Sequence, residues 1–324
     1  MVSSTKYGLD LRIDEAVRAI RRAKKILVVC HVNPDGDTLG CLLALGLAFL
    51  QMGKKATLLS QDGVPTRFQF LPGSELILSE TTEAADVAIA VDCGSRQQMG
   101  TAQKAFFRAK TTVQVDHHDF GASFGKIQIL ENEASAVGEI AYELLHALKA
   151  EITPAIATCL LTSIIIDTGS FRFSNIRAKT FDICGKLIAC GVDLQHLIEE
   201  AYWTRSVASI KLTSHVMLNM ESSADGALVW AVAYQKDFKR FGAKISDADA
   251  VADDLRSVEG SKIAVVFRQT EKGNYRVSLR SKHGINVAEV AREFGGGGHH
   301  NSAGCSIQPS QKKKLLQSLQ SLNG

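Results

Sequence analysis

A chain of 324 residues, 45% hydrophobic and 22% charged, has the composition of a soluble globular protein with room for two domains. Its net charge of +3 excludes a protein that coats duplex nucleic acid, but not a pocket for a small or single-stranded anion. Seven cysteines, an odd number without tight spacing, suit buried thiols in a reducing compartment better than a disulfide framework.

In chain order, Asp14–Ala23 reads as a short helix and Ile26–Val32 as a central strand. The turn CHVNPDGDTLG (30–40) follows, then a mostly buried helix to about Met52, stopped by Gly53. Residues 54–61 read as the second strand of a βαβ unit, and 64–75 as a loop rich in Pro and Gly. Val87–Val91 is a strand ending in Asp92, and 111–116 a strand ending in Asp116, His117 and His118. A helix is expected over 131–148, with Glu131 and Glu133 as acids of its first turn. Asp167 closes the run Ile164–Ile166, which periodicity leaves open between a strand and the end of a helix begun at Thr153. Residues 177–190 form a helix ended by Gly191, and 193–220 look helical throughout.

Past Met220 the pattern changes: a strand over 226–235, a loop to Ile245, a helix over 245–260, and a hairpin around Glu271–Gly273. A short helix (285–294) then delivers four glycines, Gly295–Gly298, followed by His299, His300 and Asn301. The tail is an amphipathic helix whose lysines read as a solvated face. The longest apolar runs, Cys41–Leu50 and Ala155–Ile166, are too short for membrane spans, and the N-terminus lacks a signal-peptide core. A cytoplasmic protein with no membrane contact is the expectation.

Four separated segments share one feature: an apolar element stops abruptly at an Asp, with His close by in two of them. Each alone could be a helix cap or a turn, and 30–40 could be a solvated Asn-Pro-Asp-Gly turn. Together they supply enough carboxylates and imidazoles to hold two divalent ions if all four stops share one end of a sheet. Oxygen mixed with imidazole suits Mn²⁺, with Mg²⁺ or Co²⁺ as alternatives; the absence of cysteine pairs argues against structural zinc. Packing does not account for four consecutive glycines, which instead permit close approach of the backbone to a phosphate.

His31-Val-Asn-Pro-Asp35-Gly-Asp37, Val91-Asp92, Asp116-His117-His118 and Asp167-Thr168-Gly169 resemble the four motifs of the DHH superfamily of phosphoesterases. Gly295–Gly304, GGGGHHNSAG, resembles the glycine-rich motif of the DHHA1 substrate-binding domain. The layout is most similar to the bifunctional oligoribonuclease and 3'-phosphoadenosine 5'-phosphate phosphatase (nanoRNase) type.

The resemblance implies an α/β protein in two parts. A DHH domain (1–192) with a mostly parallel sheet flanked by helices leads through a helical linker (193–219) to a smaller α/β DHHA1 domain (220–324), with the active-site cleft between the domains. It implies one ion on His31, Asp35 and Asp92 and a second on Asp37, Asp92, His117 and Asp167. A hydroxide between the ions would attack phosphorus. Asp116 would support the imidazoles, and His118 would contact the scissile phosphate and assist proton transfer. Arg280, Gly296, Gly297, Gly298, His299, His300 and Asn301 would hold the substrate. That substrate would be short single-stranded RNA, a nucleotide or 3'-phosphoadenosine 5'-phosphate, and a homodimer is compatible. Two alternatives stay open, a phosphodiesterase for linear or cyclic dinucleotides and a non-catalytic nucleotide binder.

Overall fold

Every residue of Val87–Val91 is buried, as expected for a strand covered by helices on both faces. It lies inside a six-stranded sheet. A computed structural model describes residues 3–118, 123–248, 251–282 and 284–322. These divide into two compact units, Met1–Thr204 and Arg205–Gly324.

In the first unit the strands are β1 (Lys25–Val29), β2 (Lys55–Leu59), β3 (Ile77–Leu78), β4 (Val87–Val91), β5 (Thr111–Asp116) and β6 (Ile127–Leu130). Their order is β3-β2-β1-β4-β5-β6, and every pairing is parallel. The order reverses between β1 and β4, so the crevice at their carboxyl ends is the place where this topology builds sites. One sheet face packs on α1 (Ser3–Arg22), α2 (Gly36–Gln51), α4 (Val137–Leu148), α5 (Pro154–Asp167) and α6 (Ala178–Ala189). The other is covered by Met99 and by α3 (Gln103–Phe106). Alternation along β1 sends Ile26 and Val28 to the first face, Leu27 and Val29 to the second.

Several expectations change here. The first strand stops at Val29, not Val32, because the Val32 N–H leaves the ladder to donate to Gln98 O (2.7 Å). Residues 127–130, unassigned from sequence, extend the sheet as β6. Asp167 ends a helix whose Thr153 cap accepts the Ile156 N–H, so that ambiguity resolves to helix. Helix α4 begins only at Val137, which leaves Glu131 and Glu133 ahead of it and makes Glu139 its first-turn acid. The stretch 193–220 is not one helix. After α7 (Leu194–Ile198) and a π turn (Glu199–Trp203) the chain breaks, and Ser206 caps α8 (Val207–Leu218) by accepting the Ser209 N–H at 3.0 Å.

The second unit has a sheet of its own, in the order β11-β12-β10-β9-β8-β7. These strands are β7 (Glu221–Ser222), β8 (Leu228–Ala233), β9 (Ile263–Gln269), β10 (Tyr275–Ser281), β11 (Gly297–His299) and β12 (Ser302–Ile307). Only β8 and β9 pair in parallel. Helices α8, α9 (Gln235–Phe241) and α10 (Val251–Arg256) cover one face. Helices α11 (Val287–Glu293) and α12 (Lys312–Ser321) cover the other. The loop expected before Ile245 is therefore α9, closed by Gly242 at φ +63°. The helix expected over 245–260 is shorter, a 3₁₀ turn at Ile245–Ala248 followed by α10. No helix among the described residues is long and apolar enough to cross a membrane.

Candidate metal centre

Asp35 serves both readings of the first turn at once. Its Oδ1 caps α2, accepting the N–H groups of Asp37 and Thr38 (3.1 Å each). The same side chain also stands with His31 and Asp92 in a group whose ligand atoms lie within 4.8 Å of one another. Turn cap and candidate ligand are one carboxylate.

Asp37, one residue into α2, is buried. Its Oδ1 accepts a hydrogen bond from Ser163 Oγ, and its Oδ2 accepts the Val137 N–H at 3.1 Å. Asp92 follows β4 with φ +57°, a left-handed conformation that Asp tolerates better than most residues but that still costs on the order of 1–3 kcal/mol. It is held there by its N–H on Val115 O (2.9 Å) and by Thr38 Oγ1, which donates to its Oδ2. His31 Nε2 lies 3.3 Å from the same Oδ2.

His117, directly after β5, places Nδ1 3.0 Å from Ala134 O. A carbonyl can only accept, so Nδ1 carries the proton and Nε2 faces inward, 3.6 Å from Asp37, 3.9 Å from Asp92 and 3.5 Å from Asp167. His31 is oriented in the same way through Nδ1 and Val32 O (2.8 Å). Asp116 Oδ1 accepts the His117 N–H (2.9 Å) and meets His118 Nδ1 at 2.7 Å. Asp116 therefore fixes the His118 ring directly and meets His117 through its main chain. Asp119 lies outside the described residues.

The electrostatics describe a cluster short of positive charge. Burial would pull all three imidazoles down, but the Asp92 hydrogen bond and the carboxylates raise His31 to about 10. Asp167, Asp37 and Asp92 likewise carry His117 to about 10, and the Asp116 hydrogen bond takes His118 to about 9. Burial pushes Asp167 up to about 7 and Asp37 well above the usual carboxylate range. Asp92 moves the other way: burial raises it, but the His31 hydrogen bond and the imidazole charges hold it below that range. Its Oδ1 is buried without a hydrogen-bond partner among the described residues, 3.6 Å from His118 Nδ1. An unsatisfied carboxylate oxygen at the centre of oxygen and imidazole donors fits a divalent cation, which would replace the protons these groups now share.

A hydrogen-bonded layer that the sequence does not announce lies behind the cluster. Buried Glu139 accepts hydrogen bonds from Ser135 Oγ, from Thr180 Oγ1 (2.6 Å) and from Arg177 Nη2 (3.1 Å). Asn175 Nδ2 donates to Ser135 O (2.8 Å) and Asp167 O (3.3 Å), tying this layer to a candidate ligand. Ser163 was discoverable: it stands one helical turn before Asp167, on the same face of α5. Arg172, close after Asp167 in sequence, is exposed and donates from Nε to Gly169 O at 2.5 Å.

In the second unit the glycine run forms a hairpin edge rather than an open loop, and packing explains more of it than expected. A Cβ on Gly296 would collide with Gly304 O, and one on Gly298, at φ +133°, would sit 2.6 Å from Ala303 Cα. Gly297 alone of these three faces open space. Register aligns Arg280 with Ser302 and Ser302 with His299 across β10, β12 and β11. Arg280 Nε rests 3.3 Å from Asp253 Oδ1. His300 is exposed, and its carbonyl accepts the Val287 N–H (2.9 Å); the Asn301 carbonyl accepts the Ser281 N–H (3.0 Å). The His299 side chain lies outside the described residues.

Residues 25–164 match the DHH family, N-terminal domain, and residues 228–323 match the DHHA1 domain. Over 308 residues the chain is 30% identical to the bifunctional oligoribonuclease and PAP phosphatase NrnA of Thermus thermophilus, covering 94% of this chain and 90% of that one. The chain belongs to the DHH/DHHA1 family of phosphoesterases. The NrnA of Bacillus subtilis is 27% identical over 315 residues, 95% of this chain and 97% of its own. An exopolyphosphatase-related protein from Bacteroides fragilis shares the fold, with a TM-score of 0.88 at 23% identity over 97% of this chain and 95% of its own. As a DHH phosphoesterase the chain is a hydrolase of phosphoester bonds, and the cluster at β1, β4, β5 and α5 is its candidate centre.

Proposed function

We propose that this DHH phosphoesterase hydrolyses short oligoribonucleotides to mononucleotides and removes the 3'-phosphate of 3'-phosphoadenosine 5'-phosphate. The observation that carries the reading is the buried Asp92 carboxylate, with one oxygen unsatisfied and imidazoles and acids on either side of it. Near-full-length similarity to two curated enzymes bearing both activities supports the choice of substrate.

His31, Asp35 and Asp92 would hold one divalent ion, and Asp37, Asp92, His117 and Asp167 a second, with Asp92 shared. Oxygen and imidazole donors favour Mn²⁺. Ions bound there supply Lewis acidity toward a phosphoryl oxygen and a nucleophile formed from water at neutral pH. The chain's own part is to orient and to move a proton. His118, fixed by Asp116 at 2.7 Å, faces the cluster and serves the scissile phosphate as a proton donor. Arg280, Gly296, Gly297, Gly298, His299, His300 and Asn301 contact the substrate away from the bond that breaks.

Purified protein with Mn²⁺ is assayed in parallel on di- to pentaribonucleotides, matched deoxyribonucleotides, 3'-phosphoadenosine 5'-phosphate and cyclic and linear dinucleotides. Turnover of the ribonucleotides and of 3'-phosphoadenosine 5'-phosphate is expected. A clean preference for cyclic dinucleotides overturns the substrate assignment; metal uptake without hydrolysis of any phosphoester overturns the catalytic one.

A further inference from the structure

The C-terminal unit contains a cavity of about 320 Å³ that the glycine hairpin does not line. It lies between α8, β8 and α9, and strands β9, β10 and β12 separate β8 from β11. Two cations one helical turn apart, Lys236 and Arg240, share the face of α9 that borders it. Neither forms an ion pair with a carboxylate among the described residues. Instead, the Lys236 ammonium stands 5.4 Å from the Tyr234 ring centroid, and the Arg240 guanidinium 5.2 Å from that of Phe241.

Asp237 is the acid in the lining, and its carboxylate is already committed. Oδ2 accepts the Tyr234 N–H at 2.9 Å, and Oδ1 faces His215 Nε2 at 3.4 Å. The exposed Tyr234 ring adds an aromatic wall beside the charges, and Asn219 adds an amide. The sign of this lining is distinctive. A cavity of about 400 Å³ in the first unit sets Asp10, Asp14 and Glu143 against Lys186, which would repel an anion.

An aromatic wall, two cations without acidic partners and a volume near the lower end of ligand sites, roughly 300–1,000 Å³, together describe one ligand class. We propose that this cavity binds a nucleoside monophosphate, with its base or ribose against Tyr234 and its phosphate between Lys236 and Arg240. Its lining is drawn from the second unit alone, and the proposal does not depend on the substrate assigned above.

The test titrates a fluorescent N-methylanthraniloyl derivative of adenosine monophosphate into the full chain in EDTA, where metal-dependent hydrolysis plays no part. Saturable, salt-sensitive binding is expected, weakened about tenfold or more in the double variant Lys236→Ala/Arg240→Ala and unchanged in Arg280→Ala. Unlabelled adenosine, which lacks the phosphate, should compete about tenfold less well than adenosine monophosphate. Both cations are exposed, so circular dichroism should report an unaltered fold, and phosphoester hydrolysis should persist in the double variant. No saturable binding, equal affinity in the double variant, or loss in Arg280→Ala alone would overturn the proposal. So would a double variant that keeps its fold but loses hydrolysis, because the cavity would then belong to the reaction.

Discussion

Asp37, Asp92 and His117 are buried side chains, each held by a further group, whereas Gly297 and Gly298 sit exposed at a sheet edge and present only main chain. The difference follows from what each region does with charge. Carboxylates taken out of water must be compensated at close range, so the centre recruits hydroxyls and a backbone amide from α2, α4 and α5, and imidazoles from the turns after β1 and β5. A hairpin edge keeps its polar groups solvated and needs no such support. Its demands are steric, and they fall on the glycines that β12 crowds. The first region should therefore be brittle toward chemistry and metal, the second toward shape and substrate affinity.

The largest effect should come from Asp92→Ala. We expect a loss of at least about 10³-fold in kcat, on the order of 4 kcal/mol, together with loss of metal at both positions. Metal content by mass spectrometry beside steady-state kinetics checks this, and near-wild-type turnover would refute a shared ligand. Next comes the supporting layer: Glu139→Ala removes the buried acceptor shared by Ser135, Thr180 and Arg177 and should cost about 2–3 kcal/mol in denaturant unfolding. By contrast Glu133, which meets the same Arg177 at 3.2 Å from an exposed position, should cost under about 1 kcal/mol when replaced by Ala. Equal losses at the two positions would show that burial is not what makes this network matter.

Gly298→Ala tests the other side of the comparison. At φ +133° and against Ala303 the added methyl has no room, so KM should rise about tenfold while metal content stays unchanged. A fall in metal content would mean that the two regions are not independent.

A pH dependence completes the series, spread over several pH units. In chelator His31 and His117 hold their protons to about 10, far above an unfolded imidazole near 6.5. The stability they contribute is fully present below about pH 6.5 and is lost as pH rises through about 10. Thermal unfolding in EDTA should therefore fall between those limits, and added Mn²⁺ should flatten the decline. A chelated protein whose Tm is flat across that window would contradict the protonated cluster.

Much of the centre was readable because its residues interrupt apolar runs: Asp92, Asp116 and Asp167 each end one, and that contrast survives without coordinates. What stayed hidden had no such contrast. Thr38 looks like an ordinary residue of an apolar helix, and Glu139 like any acid in the middle of a helix expected over 131–148. Ile127–Leu130 was too short to announce a strand. Helix α9, QKDFKRF, is so rich in charge that it resembles a loop until Phe238 is seen to be buried.

The sequence by itself determined the chemistry: which acids and imidazoles exist, that they cluster at the ends of apolar elements, and that a glycine-rich stretch lies far downstream. These are local facts, written in composition and short-range periodicity. Only the tertiary structure decided which of those groups meet. The parallel order that reverses between β1 and β4 brings Asp35, Asp92 and His117 to one crevice, and α5 carries Asp167 to the same point. It also decided that Gly296 and Gly298 are demanded by the neighbouring strand, since the crowding that forbids a side chain comes from Gly304 and Ala303 across the hairpin. Contacts between residues distant in sequence carry no local pattern, so they become visible only when the chain has closed on itself.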